Sequence, residues 1–329
     1  MSPIPAHPTD TLRAGTVGGY GSVMADVMAE VEGRTLKLSN LDKVLYPNGF
    51  TKGEVIAYYH AIAPVMLPHL AGRPVTRIRF PNGTDKPSFF EKNVPAGTPE
   101  WVRTHHVVGS SEDIVFPIVD DTPTLIWLAN LAALELHTHQ WRVAPDSDET
   151  TIDDALPVDQ LVIDLDPGPG VEMPLIATAG LLIAGELGDA GLVAHAKTSG
   201  SKGLQLYVPL EPTPVRPVLE WVRGLGERLV QLHPALFVTE IAKVARSGKI
   251  LIDVNQNLPG RTTVTPYSLR AKGEPTASTP LRWQEVEEAT AGAPLRFTSA
   301  DVLARVTEHG DLFEPLLAGR RGVLPPQVG

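Results

Sequence analysis

The amino-acid sequence predicts an α/β protein of the α+β type, with a mixed, largely antiparallel central sheet flanked by helices. Apolar runs rich in β-branched residues, which are typical of strands, alternate with segments whose apolar residues recur at helical spacing. Two predicted strands are joined directly by the short turn from Ser199 to Gly203. Parallel strands need a crossover of about a dozen residues or more, so this turn favours antiparallel pairing over a doubly wound parallel sheet.

The composition is that of a globular protein. Hydrophobic residues make up 43% and charged residues 20% of the 329 residues. There is no cysteine, which excludes disulfides, thiolate metal sites and cysteine nucleophiles. The N-terminus lacks the apolar core of a signal peptide, and no apolar run approaches the about 20 residues needed to span a membrane. These features predict a cytoplasmic protein without a membrane partner.

The charge is unevenly distributed along the chain. A net charge of -10 argues against a polyanionic partner, yet Arg34 to Arg103 contains ten Lys or Arg against five Asp or Glu, and Lys197 to Lys272 contains eleven against five. Between them, Val143 to Ala196 contains eleven acidic residues and no Lys or Arg. This asymmetry suits a metal site flanked by phosphate-binding surfaces, with ordinary solvated surface charge as the alternative.

The chain is predicted to form one domain over residues 30–318. Residues 1–29 are rich in Pro, Gly and Ser without apolar periodicity, which predicts a flexible extension. Residues 319–329 are predicted to be a flexible tail.

The first elements are a strand from Thr35 to Leu38 and a helix capped by Thr51. Lys43 and Lys52 lie before and at the start of this helix. Free backbone N–H groups at a helix N-terminus bind anions, so the two lysines are candidates for a phosphate site, with ordinary surface lysines as the alternative.

A strand starting at Val75 places Arg77 and Arg79 on one face. Phe89 and Phe90 follow on a second strand, where neighbouring side chains point to opposite faces. One phenylalanine is therefore a candidate for stacking on bases in a groove, and burial on both faces is the alternative.

The segment from Asp113 predicts a further strand, and Thr122 is predicted to cap a buried helix that runs to about His137. A lone histidine at such a helix end is commonly structural. His137 is a functional candidate only if that helix end lies near the aspartate pair of the LVIDLDPG stretch described next.

The stretch LVIDLDPG, from Leu161 to Gly168, predicts a buried strand with two carboxylates at its exit. Strand alternation puts Asp164 and Asp166 on one face and the intervening apolar residues on the other. Like charges side by side favour a divalent cation such as Mg²⁺ or Mn²⁺ between them. The alternative is that one aspartate caps the next helix and the other is solvated.

The rest of the chain also alternates helices and strands. In chain order we expect a helix closed by Gly191, the strand pair joined by Ser199 to Gly203, a packing helix after Pro217, a strand containing Asp253, a strand ending at Arg270, and helices from Trp283 to Glu288 and from Ser299 to Glu308. The Ser199 to Gly203 turn exposes backbone N–H groups that can bind a triphosphate, with a plain hairpin as the alternative.

Together these features predict nucleotidyl transfer. Asp164, Asp166 and Asp253 could hold two divalent ions, one activating an attacking hydroxyl and one neutralising the leaving pyrophosphate. Cationic side chains nearby would stabilise the transferring phosphoryl group.

The order of these motifs resembles the archaeo-eukaryotic primase superfamily, and most closely the polymerase domain of bacterial ligase D used in double-strand break repair. The matching stretches are NLDKVLYP, RIRFPNG, SFFEK, ALELH, QW, IDLDPG, TSGSKG, IDVNQN and PYSLR. The resemblance implies a primase-polymerase fold and a bacterial, nucleoid-associated enzyme. It also implies repair DNA with a 5'-phosphate at a gap or broken end, NTP or dNTP substrates with ribonucleotides preferred, Mn²⁺ or Mg²⁺ as two ions, and Ku and a DNA ligase as candidate partners.

The resemblance also implies site residues. Asp164, Asp166 and Asp253 match the metal-binding and catalytic triad. The incoming nucleotide would be bound by His137, Ser199, Lys202, Gln205, Arg246, Gln256, Arg270 and Phe90. The DNA 5'-phosphate would be bound by Asn40, Lys43 and Lys52, and the template would be contacted by Phe89, Arg77 and Arg79.

One position departs from the family pattern. Gln205 stands where the family commonly has histidine, and glutamine can donate a hydrogen bond but carries no charge. Three other functions stay open: a catalytically weak module that binds and aligns 5'-phosphorylated DNA ends, a primase that starts chains de novo, and a phosphohydrolase with an aspartyl nucleophile. No ligase or nuclease motif is found, so a stand-alone polymerase is expected.

Overall fold

The computed structural model describes residues 26–109, 112–242 and 246–326. The strands are β1 Val27–Val31, β2 Arg34–Leu38, β3 Val75–Arg79, β4 Phe89–Glu91, β5 Thr104–Val108, β6 Asp113–Pro117, β7 Ala133–Thr138, β8 Glu149–Thr151, β9 Pro157–Pro167, β10 His195–Thr198, β11 Leu204–Pro214, β12 Phe237–Val238, β13 Ile250–Ile252, β14 Thr263–Val264, β15 Leu269–Ala271 and β16 Pro275–Ala277. The helices are α1 Lys52–Leu70, α2 Thr122–Asn130, α3 Met173–Asp189, α4 Val215–Leu232, α5 Trp283–Thr290, α6 Ser299–His309 and α7 Glu314–Ala318, and Val254–Asn257 form a 3₁₀ turn.

The central sheet has five strands in the order β10-β11-β9-β13-β12, and only the β12–β13 pair is parallel. The predicted mixed, largely antiparallel sheet flanked by helices is confirmed. One face of the sheet is apolar and packs against α3, α4 and α5 in the larger core. The opposite face of β9 and β11 presents Asp164 and Gln205, so one strand pair supplies both core and site.

A second, antiparallel sheet has the order β14-β7-β3-β4 and packs with α1 and α2 around a separate core. Three smaller groups complete the fold: β1-β2, β15-β16 and β6-β5-β8. The polar faces of the two large sheets enclose a cleft between β9 and β11 on one side and β7 and β14 on the other. This cleft contains the candidate site.

The predicted cap of α1, the glycine that closes α3 and the apolar stripe of α4 are confirmed. Thr51 caps α1 in a capping box with Glu54, whose backbone N–H donates to the Thr51 hydroxyl. Gly191 follows α3 at φ +75°, a conformation that glycine adopts without strain. The stripe of α4 that includes Trp221 is buried.

The predicted helix from Thr122 to His137 is wrong over its second half. Asp121, whose carboxylate accepts from the Thr124 backbone N–H, caps α2, and the helix ends at Asn130. Ala132 adopts φ +58°, and the chain then continues as β7. In a continuously apolar run, helical spacing does not distinguish a helix from a buried strand, and pairing with β3 and β14 selects the strand.

Three further boundaries differ from prediction. The strand expected to end at Arg270 is two short strands, β14 and β15, in different sheets. Strand β1 begins at Val27, inside the predicted extension, whose residues 1–25 lie outside the described residues. In the predicted tail, Gly322 N donates to the Pro209 carbonyl, so this segment packs along β11.

Among helices of the described residues, none combines the length and apolarity needed to cross a membrane.

Candidate active site

The two carboxylates of the IDLDPG stretch lie at the end of β9, on its polar face. Asp164 pairs with Gln205 of β11 and is buried, whereas Asp166 is half-buried. Gln205 Nε2 donates to Asp164 Oδ1 at 3.0 Å, and Gln256 Nε2 donates to Oδ2 at 3.3 Å. Each oxygen of Asp164 therefore accepts from one neutral amide.

The electrostatics of this pair are unfavourable without a cation. Burial, followed by the nearby Asp166 carboxylate, raises the pKa of Asp164 to about 7. Burial and the Asp253 carboxylate raise the pKa of Asp166, while the charges of Arg246 and Arg270 oppose this rise. Two hard, adjacent carboxylates that repel each other suit a divalent cation, which would offset the repulsion. The donor chemistry of Asp164 and Asp166 thus fits the metal predicted from sequence.

The third predicted metal ligand, Asp253, lies on a different segment from Asp164 and Asp166. Asp253 follows β13 and caps the 3₁₀ turn, its carboxylate accepting from the Asn255 backbone N–H at 3.0 Å. Within residues 26–109, 112–242 and 246–326, no group of three or more Asp, Glu or His side chains is arranged to hold an ion. Asp253 is nevertheless close enough to raise the pKa of both aspartates, and its role as a third metal ligand stays a prediction.

The Ser199 to Gly203 turn joins β10 to β11 beside the pair. The Ser199 hydroxyl accepts from the backbone N–H groups of Ser201 and Gly203. Gly200 adopts φ +69°, and an added Cβ would lie 2.7 Å from the Ala277 carbonyl carbon. Only glycine fits there. The turn is thereby fixed against the β16 segment, with the Lys202 side chain exposed.

One cleft of about 590 Å³ gathers most of the predicted site. Of the residues predicted for catalysis and nucleotide binding, those lining it are Asp164, Asp166, His137, Ser199, Lys202, Gln205, Arg246, Gln256 and Arg270. They come from β7, β9, β11, β15, the 3₁₀ turn, the Ser199 to Gly203 turn and the segment before β13. Gly168 allows the segment that contains Arg246 to lie beside the end of β9, because a Cβ added at Gly168 would overlap the Arg246 carbonyl. Asp253 and Phe90 do not line this cleft.

Glu135 organises one wall of the cleft and was missed by sequence reasoning. Its Oε2 lies 3.1 Å from both His137 Nε2 and Arg270 Nε, and Oε1 accepts from the Ala271 N–H at 2.9 Å. Although burial opposes ionisation, His137, Arg270 and the Ala271 N–H together lower the pKa of Glu135 to about 2. Glu135 and His137 are two residues apart on a strand, a spacing that was hidden by the helix prediction for this segment.

Lys197 was also missed. It is fully buried on β10 opposite Gln205, and its Nζ donates to Gln205 Oε1 at 2.5 Å and to Ser278 Oγ at 2.6 Å. A lysine within the apolar strand LVAHAKT was the available signal, because a buried lysine needs partners.

The predicted phosphate-binding residues Asn40, Lys43 and Lys52 lie together outside the cleft. The Asn40 carbonyl accepts from Lys43 N, and the Lys43 carbonyl accepts from Lys52 N. Lys52 Nζ donates to the Ser39 carbonyl at 2.6 Å, and Lys43 Nζ to Asn82 at 3.2 Å. Burial, followed by the Lys43 charge, lowers the pKa of Lys52 to about 8. The two ammonium groups are therefore close enough to repel.

The residues predicted to contact the template differ in their exposure to solvent. Phe89 and Phe90 are 52% and 61% exposed on the short strand β4, so both are exposed rather than one. Arg77 is fully buried, with Nη2 2.9 Å from Glu91 and donating to the Asn93 carbonyl at 2.5 Å. A direct DNA contact by Arg77 is therefore wrong for this structure. Arg79 is partly exposed but bound to Glu91 and the Leu131 carbonyl.

Comparison with known proteins identifies the family of this chain. The family described as LigD, primase-polymerase domain, matches residues 51–313. The chain is 41% identical over 292 residues to the multifunctional non-homologous end joining DNA repair protein LigD of Mycobacterium tuberculosis, covering 88% of this chain and 38% of that protein. It is 34% identical over 278 residues to the bifunctional non-homologous end joining protein LigD of Bacillus subtilis, covering 84% and 43%.

A solved structure, the polymerase domain from Mycobacterium tuberculosis ligase D in complex with DNA, superposes with a TM-score of 0.81 at 42% identity. The match covers 86% of this chain and 98% of that one. The chain spans less than half the length of the curated relatives given above. The family match covers most of the chain, and the fold is shared with the solved polymerase domain. The chain therefore belongs to the LigD primase-polymerase domain family, which consists of nucleotidyltransferases of the archaeo-eukaryotic primase superfamily.

Proposed function

We propose that this chain adds nucleotides, preferably ribonucleotides, to a primer 3'-hydroxyl at short gaps or double-strand break ends in DNA repair. The observation that carries the proposal is the single cleft in which an adjacent carboxylate pair faces Lys202, Arg246 and Arg270. Carboxylates bind metal ions and cations bind phosphates, so one cleft has both requirements of nucleotidyl transfer.

The cationic wall would bind the triphosphate. Arg270 is held in place by Glu135 and by donation from its Nη1 to the Ser199 carbonyl at 2.7 Å. Lys202 is exposed on the turn, and Arg246 is close enough to Asp166 to oppose the rise in its pKa that burial and Asp253 cause. Ordered cations beside the acidic pair would stabilise charge on the transferring group.

Asp164 and Asp166 would hold divalent metal, with Asp253 as the third carboxylate. Mg²⁺ and Mn²⁺ are the expected ions because all candidate ligands are hard oxygens. Two bound ions would activate the primer hydroxyl and neutralise the departing pyrophosphate. Gln205 and Gln256 would orient Asp164, because their amides donate to its two oxygens.

DNA with a 5'-phosphate would bind at the lysine pair. Lys43 and Lys52 repel each other at the start of α1, and a phosphate between them would remove that repulsion. The Tyr46 hydroxyl donates to the Arg270 carbonyl, which ties the loop between the lysines to the cleft wall. The relatives are named for end joining, which supports Ku and a DNA ligase as partners.

A gap-filling assay tests the proposal. The protein is incubated with Mn²⁺, a duplex containing a short gap, and labelled NTPs or dNTPs, with the gap either 5'-phosphorylated or not. We expect template-directed extension, faster with NTPs and with the phosphate. Asp164→Ala with Asp166→Ala should abolish extension, whereas the exposed pair Asp153→Ala with Asp154→Ala should extend normally. No extension by the wild type would refute the proposal.

A second candidate is an end-binding module without polymerase activity. One observation favours it. The Asp253 carboxylate accepts a hydrogen bond from the Asn255 backbone N–H, and among the described residues it is not grouped with Asp164 and Asp166 to hold an ion. This candidate predicts 5'-phosphate-dependent DNA binding without incorporation. A de novo primase would instead make product on a template lacking a primer, so adding a primer-free template to the assay separates all three functions.

A further inference from the structure

The buried lysine behind the acidic pair has a fixed set of partners. Lys197 is fully buried, donates to Gln205 Oε1 and Ser278 Oγ, and lies 5.3 Å above the ring centre of Tyr207. Among the described residues, no carboxylate oxygen lies within ion-pair distance of its Nζ. A buried cation without a direct counter-charge is costly, so hydrogen bonds must stabilise it.

This lysine determines the orientation of the Gln205 amide. Burial lowers the pKa of Lys197 and the Asp164 charge opposes that fall. In its charged form Lys197 only donates, so the Gln205 atom that faces it is the carbonyl oxygen, as the Nζ to Oε1 hydrogen bond shows. The amide nitrogen is then directed at Asp164 Oδ1, 3.0 Å away. The reverse orientation would place the carbonyl oxygen against a carboxylate and the NH₂ group against an ammonium, and both contacts would be repulsive.

We propose that Lys197 is a positioning residue for catalysis that acts through Gln205 to hold the Asp164 carboxylate, resting on the nucleotidyl transfer proposed above. Lys197 touches neither the cleft nor Asp164 directly, because it does not line the cleft and Gln205 lies between them. We call the contacts from Lys197 through Gln205 to Asp164 the relay. It joins three neighbouring strands: Lys197 lies on β10, Gln205 on β11 and Asp164 on β9. A neutral glutamine thereby presents a donor of defined direction to the site.

Kinetics of single and double variants test the relay. Lys197→Met removes the ammonium group at nearly equal volume, and Gln205→Leu removes the amide. Each should lower kcat for gap filling at saturating NTP and Mn²⁺ by tenfold or more, with KM for the NTP changed less than threefold. In the Gln205→Leu background, adding Lys197→Met should change kcat less than twofold, because the path to Asp164 is already broken. Ser278→Ala, which removes the other Lys197 partner, should stay within threefold of the wild type.

A measurement on the metal-free protein gives an independent readout. Gln205→Leu identifies the side-chain amide resonances of Gln205 in a ¹H–¹⁵N spectrum by their disappearance. These resonances should exchange slowly with solvent in the wild type and in Ser278→Ala, and at least tenfold faster in Lys197→Met. If Lys197→Met is unstable, the comparison of kcat between Gln205→Leu and the double variant still tests the proposal, because in the double variant neither Lys197 nor Gln205 remains without the other.

The outcomes separate the relay from the function on which it rests. A wild type without extension refutes nucleotidyl transfer, and unchanged amide exchange in Lys197→Met then overturns the relay on its own evidence. An active wild type with full kcat in Lys197→Met, or with additive losses in the double variant, shows that Lys197 is a packing residue and overturns the relay.

Discussion

Replacing Glu135 with glutamine tests how the cleft wall is held together. Glu135 is 4% exposed and accepts from Ala271 N, and its other oxygen lies between His137 and Arg270. The variant keeps the shape of the side chain but removes its charge. Arg270 then loses its carboxylate partner in a buried setting, where an unpaired charge is costly.

The magnitude follows from the pKa. Glu135 has a pKa of about 2 instead of its ordinary 4.5. At about 1.4 kcal/mol per pH unit, this difference corresponds to roughly 3 kcal/mol of stability. Because the folded pKa is below the unfolded one, the contribution is complete above about pH 4.5 and is lost as the pH falls toward about 2.

Urea unfolding of the wild type and the variant measures the effect. At pH 7, Glu135→Gln should lower the free energy of unfolding by about 3 kcal/mol, and at pH 3.5 by about 2 kcal/mol. KM for the NTP should rise, because His137 and Arg270 are no longer fixed. The control Glu149→Gln removes an exposed partner of His106 and should cost less than about 1 kcal/mol.

Two results would refute this reasoning. A loss below about 1 kcal/mol at pH 7 would mean that the ion pairs do not offset the burial of Glu135. A loss of equal size at both pH values would mean that packing, rather than ionisation, accounts for the effect.

Three further predictions concern the acidic pair, the lysine pair and the turn. Asp166→Asn should raise the melting temperature of the metal-free protein at pH 7 by about 2 °C, by removing a charge that raises the pKa of Asp164, and should abolish extension. Lys43→Met with Lys52→Met should weaken binding to a 5'-phosphorylated gap about tenfold, and to an unphosphorylated gap less than about twofold, by fluorescence anisotropy. Gly200→Ala should lower the free energy of unfolding by at least about 2 kcal/mol and raise KM for the NTP.

Each of these has a matched control. Asp153→Asn, at an exposed aspartate, should leave the melting temperature unchanged, and a lower one for Asp166→Asn would contradict the repulsion. Lys86→Met, at an exposed lysine, should bind both gaps normally, and an equal loss on both gaps in the double variant would exclude a phosphate site. Gly188→Ala, in open space on α3, should be neutral or stabilising, and equal stability of Gly200→Ala would contradict the steric argument.

The sequence by itself determined the features that depend on neighbouring residues. Alternation along β9 was sufficient to put Asp164 and Asp166 on the polar face, because strand side chains alternate in any tertiary context. The short turn at Gly200 was sufficient to predict antiparallel pairing, and Thr51 as a capping residue was sufficient to place the start of α1 directly after it. The nucleotide-binding residues of the cleft were predicted from the resemblance of these stretches to a known family.

Only the tertiary structure decided which candidate residues lie together and which are already bound to other protein groups. The segment ending at His137 is a strand because β3 and β14 supply its hydrogen-bond partners, which no local pattern reveals. Arg77 is unavailable because Glu91 and backbone carbonyls surround it. Lys197 reaches Gln205 only because hairpin register sets them opposite each other. These outcomes depend on contacts between distant residues, and periodicity reports the face on which a side chain lies but not the group it meets there.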